Sequence, residues 1–150
     1  KSGGFTYLGL AVAVATWYNH FNIVLHPAQC FGVPVLFAKK NKTKNIAGDV
    51  YTSKVESFTH GKVYDIIVSR EFLGPEDRVL LIDDFLANGA ALMGLITLVK
   101  EAGAVLVGAG ICVEKAFQSG GQRIRDMGIR VESLARIKSM SEENGIEFCE

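Results

Sequence analysis

The chain has 150 residues, 49% of them hydrophobic, and its 16 acidic and 16 basic side chains cancel. That length fits one domain with a substantial core, and the neutral balance gives no electrostatic footing for a nucleic-acid partner. The longest early apolar run, residues 8–15, is too short to span a bilayer and lacks the basic flank and cleavage pattern of a signal peptide.

Cys30, Cys112 and Cys149 are scattered and odd in number, which reads as reduced thiols in a cytoplasmic protein. Between Lys1 and Lys39 no Lys, Arg, Asp or Glu occurs, so most of that stretch is expected to be buried. The first residue is not Met, so a fragment or a processed chain is expected.

Taken in chain order, residues 33–38 (VPVLFA) form a short apolar run that predicts a buried strand. Residues 39–49 (KKNKTKNIAGD) are basic and turn-rich and predict a mobile loop. Residues 50–58 and 63–69 alternate in polarity and predict a hairpin around His60 and Gly61. Residues 79–82 predict a central strand. Leu92, Leu95, Ile96 and Val99 recur at helical spacing, predicting a helix over 90–101 with Gly103 at its C-terminal cap. A buried strand over 105–113, a short helix over 120–127 and a last strand over 131–137 complete the reading. Strands alternating with helices from residue 79 onward imply an α/β fold with a parallel sheet and right-handed crossovers. The hairpin before it is an antiparallel insertion.

The chemistry concentrates in VLLIDDFLANGAA, residues 79–91. Ligands of open parallel sheets sit beyond the carboxyl ends of the strands, which is where Asp83 and Asp84 fall. Ala87, Asn88, Gly89, Ala90 and Ala91 follow, with almost no side chain, and lead into the next helix. A helix N-terminus offers free N–H groups and partial positive charge, and bare residues let a phosphate reach them. Two carboxylates cannot take that phosphate directly but suit hydroxyls or a divalent cation, so the combination fits a ribose 5-phosphate. On its chemistry alone the aspartate pair serves equally well as a helix cap with a solvated neighbour. The loop has neither the GK[ST] of a Walker sequence nor a GxGxxG fingerprint.

This stretch resembles the phosphoribosyl pyrophosphate signature of type I phosphoribosyltransferases, and DDFLANG is the form found in xanthine phosphoribosyltransferases. FGVPVLFAKK (31–40), SKVESFTHGK (53–62), GICVEKAFQSGG (110–121) and GIRVESLARI (128–137) are similar too, so the resemblance covers roughly residues 28–140. It implies a type I phosphoribosyltransferase-like parallel sheet flanked by helices, with an inserted flexible antiparallel flap. It implies purine salvage: transfer of the phosphoribosyl group to xanthine, giving xanthosine 5′-monophosphate and pyrophosphate.

The resemblance assigns the ribose hydroxyls and the developing positive charge to Asp83 and Asp84, and the 5-phosphate to Ala87, Asn88, Gly89, Ala90 and Ala91. Lys39 or Lys40 would contact pyrophosphate, with Lys39 taken as the binding residue. Lys115 would face the 6-oxo group of xanthine, although by its sequence position it reads as a solvated strand-end lysine. Phe117 reads either as a stacking partner for the base or as a core residue. Residues 41–61 would form a lid against water. Mg2+ would arrive with the phosphoribosyl pyrophosphate; no protein-held metal site is implied. A homodimer in the cytoplasm is implied, without nucleic-acid or membrane partners.

Residues 28–150 are thus expected to form the phosphoribosyltransferase domain. Residues 1–27 depart from the family's pattern of a hood over the base, a strand and an E-x-S-G-I pyrophosphate loop; Ser2-Gly3-Gly4 before an expected helix is the nearest trace of that loop. The alternative is a truncated, non-catalytic module that binds phosphoribosyl pyrophosphate or a nucleotide.

Overall fold

The computed structural model describes residues 11–13, 21–41, 48–57 and 62–150. In chain order the elements are β1 (Ala11–Ala13), α1 (Phe21–Phe31), β2 (Val35–Phe37), β3 (Lys39–Asn41), β4 (Val50–Ser57) and β5 (Lys62–Ser69). There follow a 3-10 turn (Arg70–Phe72), β6 (Arg78–Leu86), α2 (Ala90–Glu101), β7 (Val105–Lys115), α3 (Gly120–Asp126), β8 (Val131–Ser141) and β9 (Gly145–Phe148). They form two sheets, one of six strands in the order β2-β1-β6-β7-β8-β9 and one of three in the order β3-β5-β4.

The large sheet is parallel from β2 through β8 and gains one antiparallel edge strand in β9. β6 is central, and its sequence explains why. Val79 and Leu81 are fully buried in the cluster built by Leu92, Leu95, Ile96, Leu98 and Val99 of α2. Ile82 joins a second cluster with Val24 of α1, against which Leu80 also packs. Alternate residues of a strand point to opposite faces, so an all-apolar run is what a strand covered on both faces needs.

α2 ends where the sequence puts its stop. Gly103 has φ +72, its N–H donates to Lys100 O at 3.0 Å, and that of Ala104 donates to Val99 O at 3.1 Å. A left-handed residue at this position satisfies the last helical carbonyls.

The small sheet carries the predicted hairpin: β4 and β5 pair antiparallel from Val50↔Ser69 to Ser57↔Lys62. The expected turn at His60 and Gly61 lies outside the described residues. The sheet packs on α2 through Val55 and Ile66, both buried. Gly94 makes that approach possible, since a Cβ there would lie 2.5 Å from Val55 Cγ2 and 2.9 Å from Ile66 Cδ1.

Several expectations need correction. The strand expected over 33–38 is limited to Val35–Phe37, and Lys39 opens a separate strand in the other sheet. There it pairs with Ile67 of β5, so the basic segment 39–49 begins as strand; residues 42–47 lie outside the described residues. Much of the expected lid over 41–61 is the hydrogen-bonded strand β4. β7 runs on to Lys115 and β8 to Ser141, and neither β1, α1 nor β9 was expected. Ser2-Gly3-Gly4 lies outside the described residues, but Ala11–Ala13 sits between β2 and β6 as a strand rather than in a helix.

Between Val79 and Leu80 the β6–β7 register slips: Val79 faces Leu106 and Leu80 faces Gly108, leaving Val107 without a partner.

Filling the space at Gly94 tests the docking of the flap sheet. Gly94→Val should lower the unfolding free energy by about 1–3 kcal/mol through overpacking, as measured by urea denaturation. An unchanged midpoint would contradict the close approach.

Candidate active site

β6 ends in Asp83, Asp84, Phe85 and Leu86, and a short bend over Ala87 and Asn88 leads to α2. Gly89 is the residue before the helix and has φ +82, ψ 6, a left-handed conformation that only glycine adopts freely. It is buried, whereas Ala87, Asn88, Ala90 and Ala91 are half-buried. Gly89 O accepts the Met93 N–H at 2.9 Å, so the helix starts here. Asn88 Oδ1 accepts from Ala90 N–H at 3.0 Å, so an arriving anion must displace a side-chain carbonyl from that donor.

The sequence argument gave Gly89 to ligand access. The structure adds what stands behind it: a Cβ at Gly89 would meet Gly120 Cα at 3.1 Å and Ile124 Cδ1 at 3.3 Å.

Asp83 is 5% exposed, and its Oδ1 accepts the Asp84 backbone N–H at 3.0 Å. Burial, then the neighbouring Asp84 carboxyl, drive its pKa up from 3.8 to about 8; the Asp84 N–H and the Lys40 charge oppose the rise. Other groups feel the pair. Tyr64 is raised by burial and then by Asp83, and the Cys112 thiol by burial and then by Asp84 and Asp83. A carboxyl held from its usual ionisation at the carboxyl end of a central strand makes Asp83 a candidate for ligand contact.

Lys40 is the lysine whose charge reaches Asp83; its Nζ also lies 4.4 Å from the centre of the Tyr64 ring. Lys39, the next residue, lines a separate cleft of about 740 Å3 with Pro34, Phe37 and Phe72. Consecutive strand residues project to opposite sides, so Lys39 and Lys40 serve different surfaces.

Lys115 ends β7 one position beyond Glu114, which pairs with Leu86. That brings it to the rim where β6 hands over to the loop. Its Nζ sits 5.3 Å from the Phe85 ring centre and 5.9 Å from that of Phe117. Both residues are a little under half exposed, at 43% and 49%, so Phe117 is not a core residue. Phe85 was missed by the sequence reading, although it lies inside the quoted motif: among apolar neighbours it reads as one more strand residue.

The sequence reading also missed a charge cluster built around one buried carboxylate. Glu114 is 1% exposed and accepts from Arg125 Nη1 and Nη2, both at 2.7 Å, and from Ser133 Oγ at 2.6 Å. Arg136 Nε lies 3.5 Å from the same carboxylate. The Arg125 hydrogen bonds hold Glu114 down, from 4.5 to about 2, against the opposing effect of burial. No spacing rule links residues 114, 125, 133 and 136.

Among the described residues no group of three or more His, Cys, Asp or Glu side chains could hold a metal by itself, and no helix is long and apolar enough to cross a membrane. Asp83 and Asp84 fit a divalent cation that brings most of its other ligands with a phosphorylated substrate.

No protein-family model matches the chain. Its fold matches solved phosphoribosyltransferases. Adenine phosphoribosyltransferase from Rhodothermus marinus superposes with a TM-score of 0.74 at 20% identity, over 88% of this chain and 71% of that one. The Trypanosoma brucei enzyme in complex with AMP, pyrophosphate and ribose-5-phosphate gives 0.76 at 22% identity, over 92% and 60%. The parallel sheet, its antiparallel insertion and the acid-plus-small-residue loop at the end of β6 therefore define a phosphoribosyltransferase fold.

Sequence relatives narrow the family. Xanthine phosphoribosyltransferase from Lachnoclostridium phytofermentans is 62% identical over 118 residues, 79% of this chain and 61% of that protein. The Brevibacillus brevis protein of the same name is 55% identical over 119 residues, 79% and 60%, and that of Bifidobacterium animalis subsp. lactis 48% over 152 residues, 89% and 79%. The chain belongs to the xanthine phosphoribosyltransferase family. It spans only about three fifths of the length of the first two relatives.

The two buried carboxylates predict opposite pH behaviour. Asp83 has a raised folded pKa, so its contribution is whole below about 3.8 and is lost as pH rises toward about 8. Asp83→Asn should therefore unfold at a higher temperature than the parent at pH 8, with the gap closing by pH 4. Glu114 has a depressed pKa, so its contribution is whole above 4.5 and is lost as pH falls toward about 2. Glu114→Gln should cost about 1–3 kcal/mol at pH 7 and progressively less in acid. Thermal unfolding across the pH range checks both; parallel curves for either variant and the parent would refute its assignment.

Proposed function

We propose that this chain is a purine-salvage glycosyltransferase that moves the phosphoribosyl group from phosphoribosyl pyrophosphate to xanthine, releasing pyrophosphate and forming xanthosine 5′-monophosphate. The observation that carries the reading is the shared rim: the Asp83–Asp84 pair, the bare loop Ala87 to Ala91 and Lys115 meet at the carboxyl ends of β6 and β7. The names of relatives up to 62% identical support the same activity.

The chemistry follows from charge placement. Backbone N–H groups of Ala87, Asn88, Gly89, Ala90 and Ala91, at the positive end of α2, receive the 5-phosphate. Asp83 and Asp84 accept the ribose hydroxyls and offset the positive charge that grows on the ribose ring as pyrophosphate leaves. Asp83 and Asp84 would hold a Mg2+ arriving with the substrate, which would supply charge neutralisation for the departing pyrophosphate. Lys40, whose charge reaches Asp83, supplies the cation on the flap side; Lys39 faces the neighbouring cleft instead of this rim. Lys115 donates to a 6-oxo group, favouring oxo-purines over adenine, whose amino group at that position is itself a donor. The rings of Phe85 and Phe117 beside it offer stacking surface for the base. The flap sheet covers the reacting centre and excludes water.

In this reading residues 28–150 form the phosphoribosyltransferase domain, with residues 1–27 contributing β1 and most of α1. The working protein is a cytoplasmic homodimer.

Calorimetry with phosphoribosyl pyrophosphate and Mg2+, together with nucleotide formation from xanthine, hypoxanthine, guanine and adenine, tests the reading. Gly89→Val should abolish donor binding. Lys115→Ala should leave it within a few-fold while reducing use of oxo-purines by roughly tenfold to a hundredfold, the equivalent of one lost buried hydrogen bond. Donor binding without any turnover would identify a non-catalytic module instead, and equal losses in both variants would overturn the division of roles.

A further inference from the structure

α3 is a short helix with two glycines at its start, and each is required by something different. A Cβ on Gly120 would drive into the backbone of the loop, 2.5 Å from Asn88 C and Gly89 N and closer still to Ala87 O. A Cβ on Gly121 would strike the Glu114 carboxylate and come within 2.8 Å of Arg125 Nη1. One face of the first turn of α3 therefore rests on the loop from behind, and the other on the Glu114–Arg125 pair. At its far end Arg125 is tied to Glu114 by two parallel hydrogen bonds of 2.7 Å and reaches Val131 O on β8 at 3.3 Å. Ser133 and Arg136 fix the other side of the same carboxylate. Ile124, fully buried, lies within reach of any side chain added at Gly89.

We infer that the Glu114–Arg125 pair is a positioning device for the loop: it clamps α3 to β7 and β8, and Gly120 transmits that position to the backbone of Ala87, Asn88 and Gly89. Glu114 stands next to Lys115 in the chain, so the clamp also fixes the end of β7. Arg125 touches no substrate in this scheme. That the loop holds a phosphate rests on the proposed function; the mechanical link does not.

Hydrogen exchange on the unliganded chain reads the link directly, through the Ala90 amide bonded to Asn88 Oδ1 and the Met93 amide bonded to Gly89 O. In Arg125→Met both amides should exchange at least tenfold faster, while those of Leu95 and Leu98 keep parental protection. Arg125→Lys, which keeps the charge but loses the fork, should fall between. Should Arg125→Met fail to fold, Arg125→Lys decides alone: the same two amides should speed up while Leu95 and Leu98 keep parental protection. Parental exchange at Ala90 and Met93, or a uniform loss across α2, overturns the inference.

A second arm measures ribose 5-phosphate affinity. Arg125→Met and Gly120→Ala should each weaken binding at least tenfold, and the double variant little more than the worse single one, because both act through one contact. Full additivity would also overturn it. No binding by the parent chain would count against the proposed function, while the exchange arm still decides the clamp.

Discussion

Two carboxylates removed from water at adjacent strand ends set the terms for everything around them. Burying an ionised carboxylate is costly unless opposite charge and hydrogen bonds replace the lost water. Glu114 receives both: a forked arginine, a hydroxyl and a second guanidinium nearby. Asp83 receives one backbone N–H and a lysine acting from the flap, with Asp84 working against it. The first carboxylate is held ionised and the second is pushed toward its neutral form. Glu114 is fully compensated, whereas Asp83 has only the Asp84 N–H and the Lys40 charge in its favour.

This contrast orders the architecture. The complete cluster ties α3 to β7 and β8, and through Gly120 the tie reaches the small-residue loop. The less compensated one faces the flap sheet, from which Lys40 opposes its rise and where it helps to raise Tyr64. α2 joins the two halves: its N-terminus carries the loop and its middle, at Gly94, receives the flap. A fully compensated carboxylate and a poorly compensated one thus sit on neighbouring strands.

The sequence disclosed those parts whose signals are local. Residues 79–91 present a doubly buried strand, an acid pair and a bare turn in one continuous motif, and α2 announces its face and its stop through Leu92, Leu95, Ile96, Val99 and Gly103. The β4–β5 pairing was legible because its residues alternate. α1 was not: it has no charged residue to mark a wet face, and Pro27 sits inside it where a proline lacks the helical N–H. β3 was hidden in a run of lysines whose charge reads as loop. β9 had a signal that went unused, the Asn144-Gly145 pair that closes its hairpin with Gly145 at φ +67. The Glu114 cluster was invisible because its partners lie 11 and 19 residues away and meet only once the sheet has formed.

The slipped register at Val79 and Leu80 carries a consequence for how such a chain can change. Val107 is the one residue of excess length that brings β7 into step with β6 beyond that point. Side chains alternate with a period of two, so one residue more or fewer there would turn every later position of β7 to the opposite face. Glu114 would then leave its arginine, and Lys115 would swap sides with it. The rim therefore tolerates exchange of side chains far better than a change of length at a point well away from any ligand: what the strand preserves at Val107 is parity.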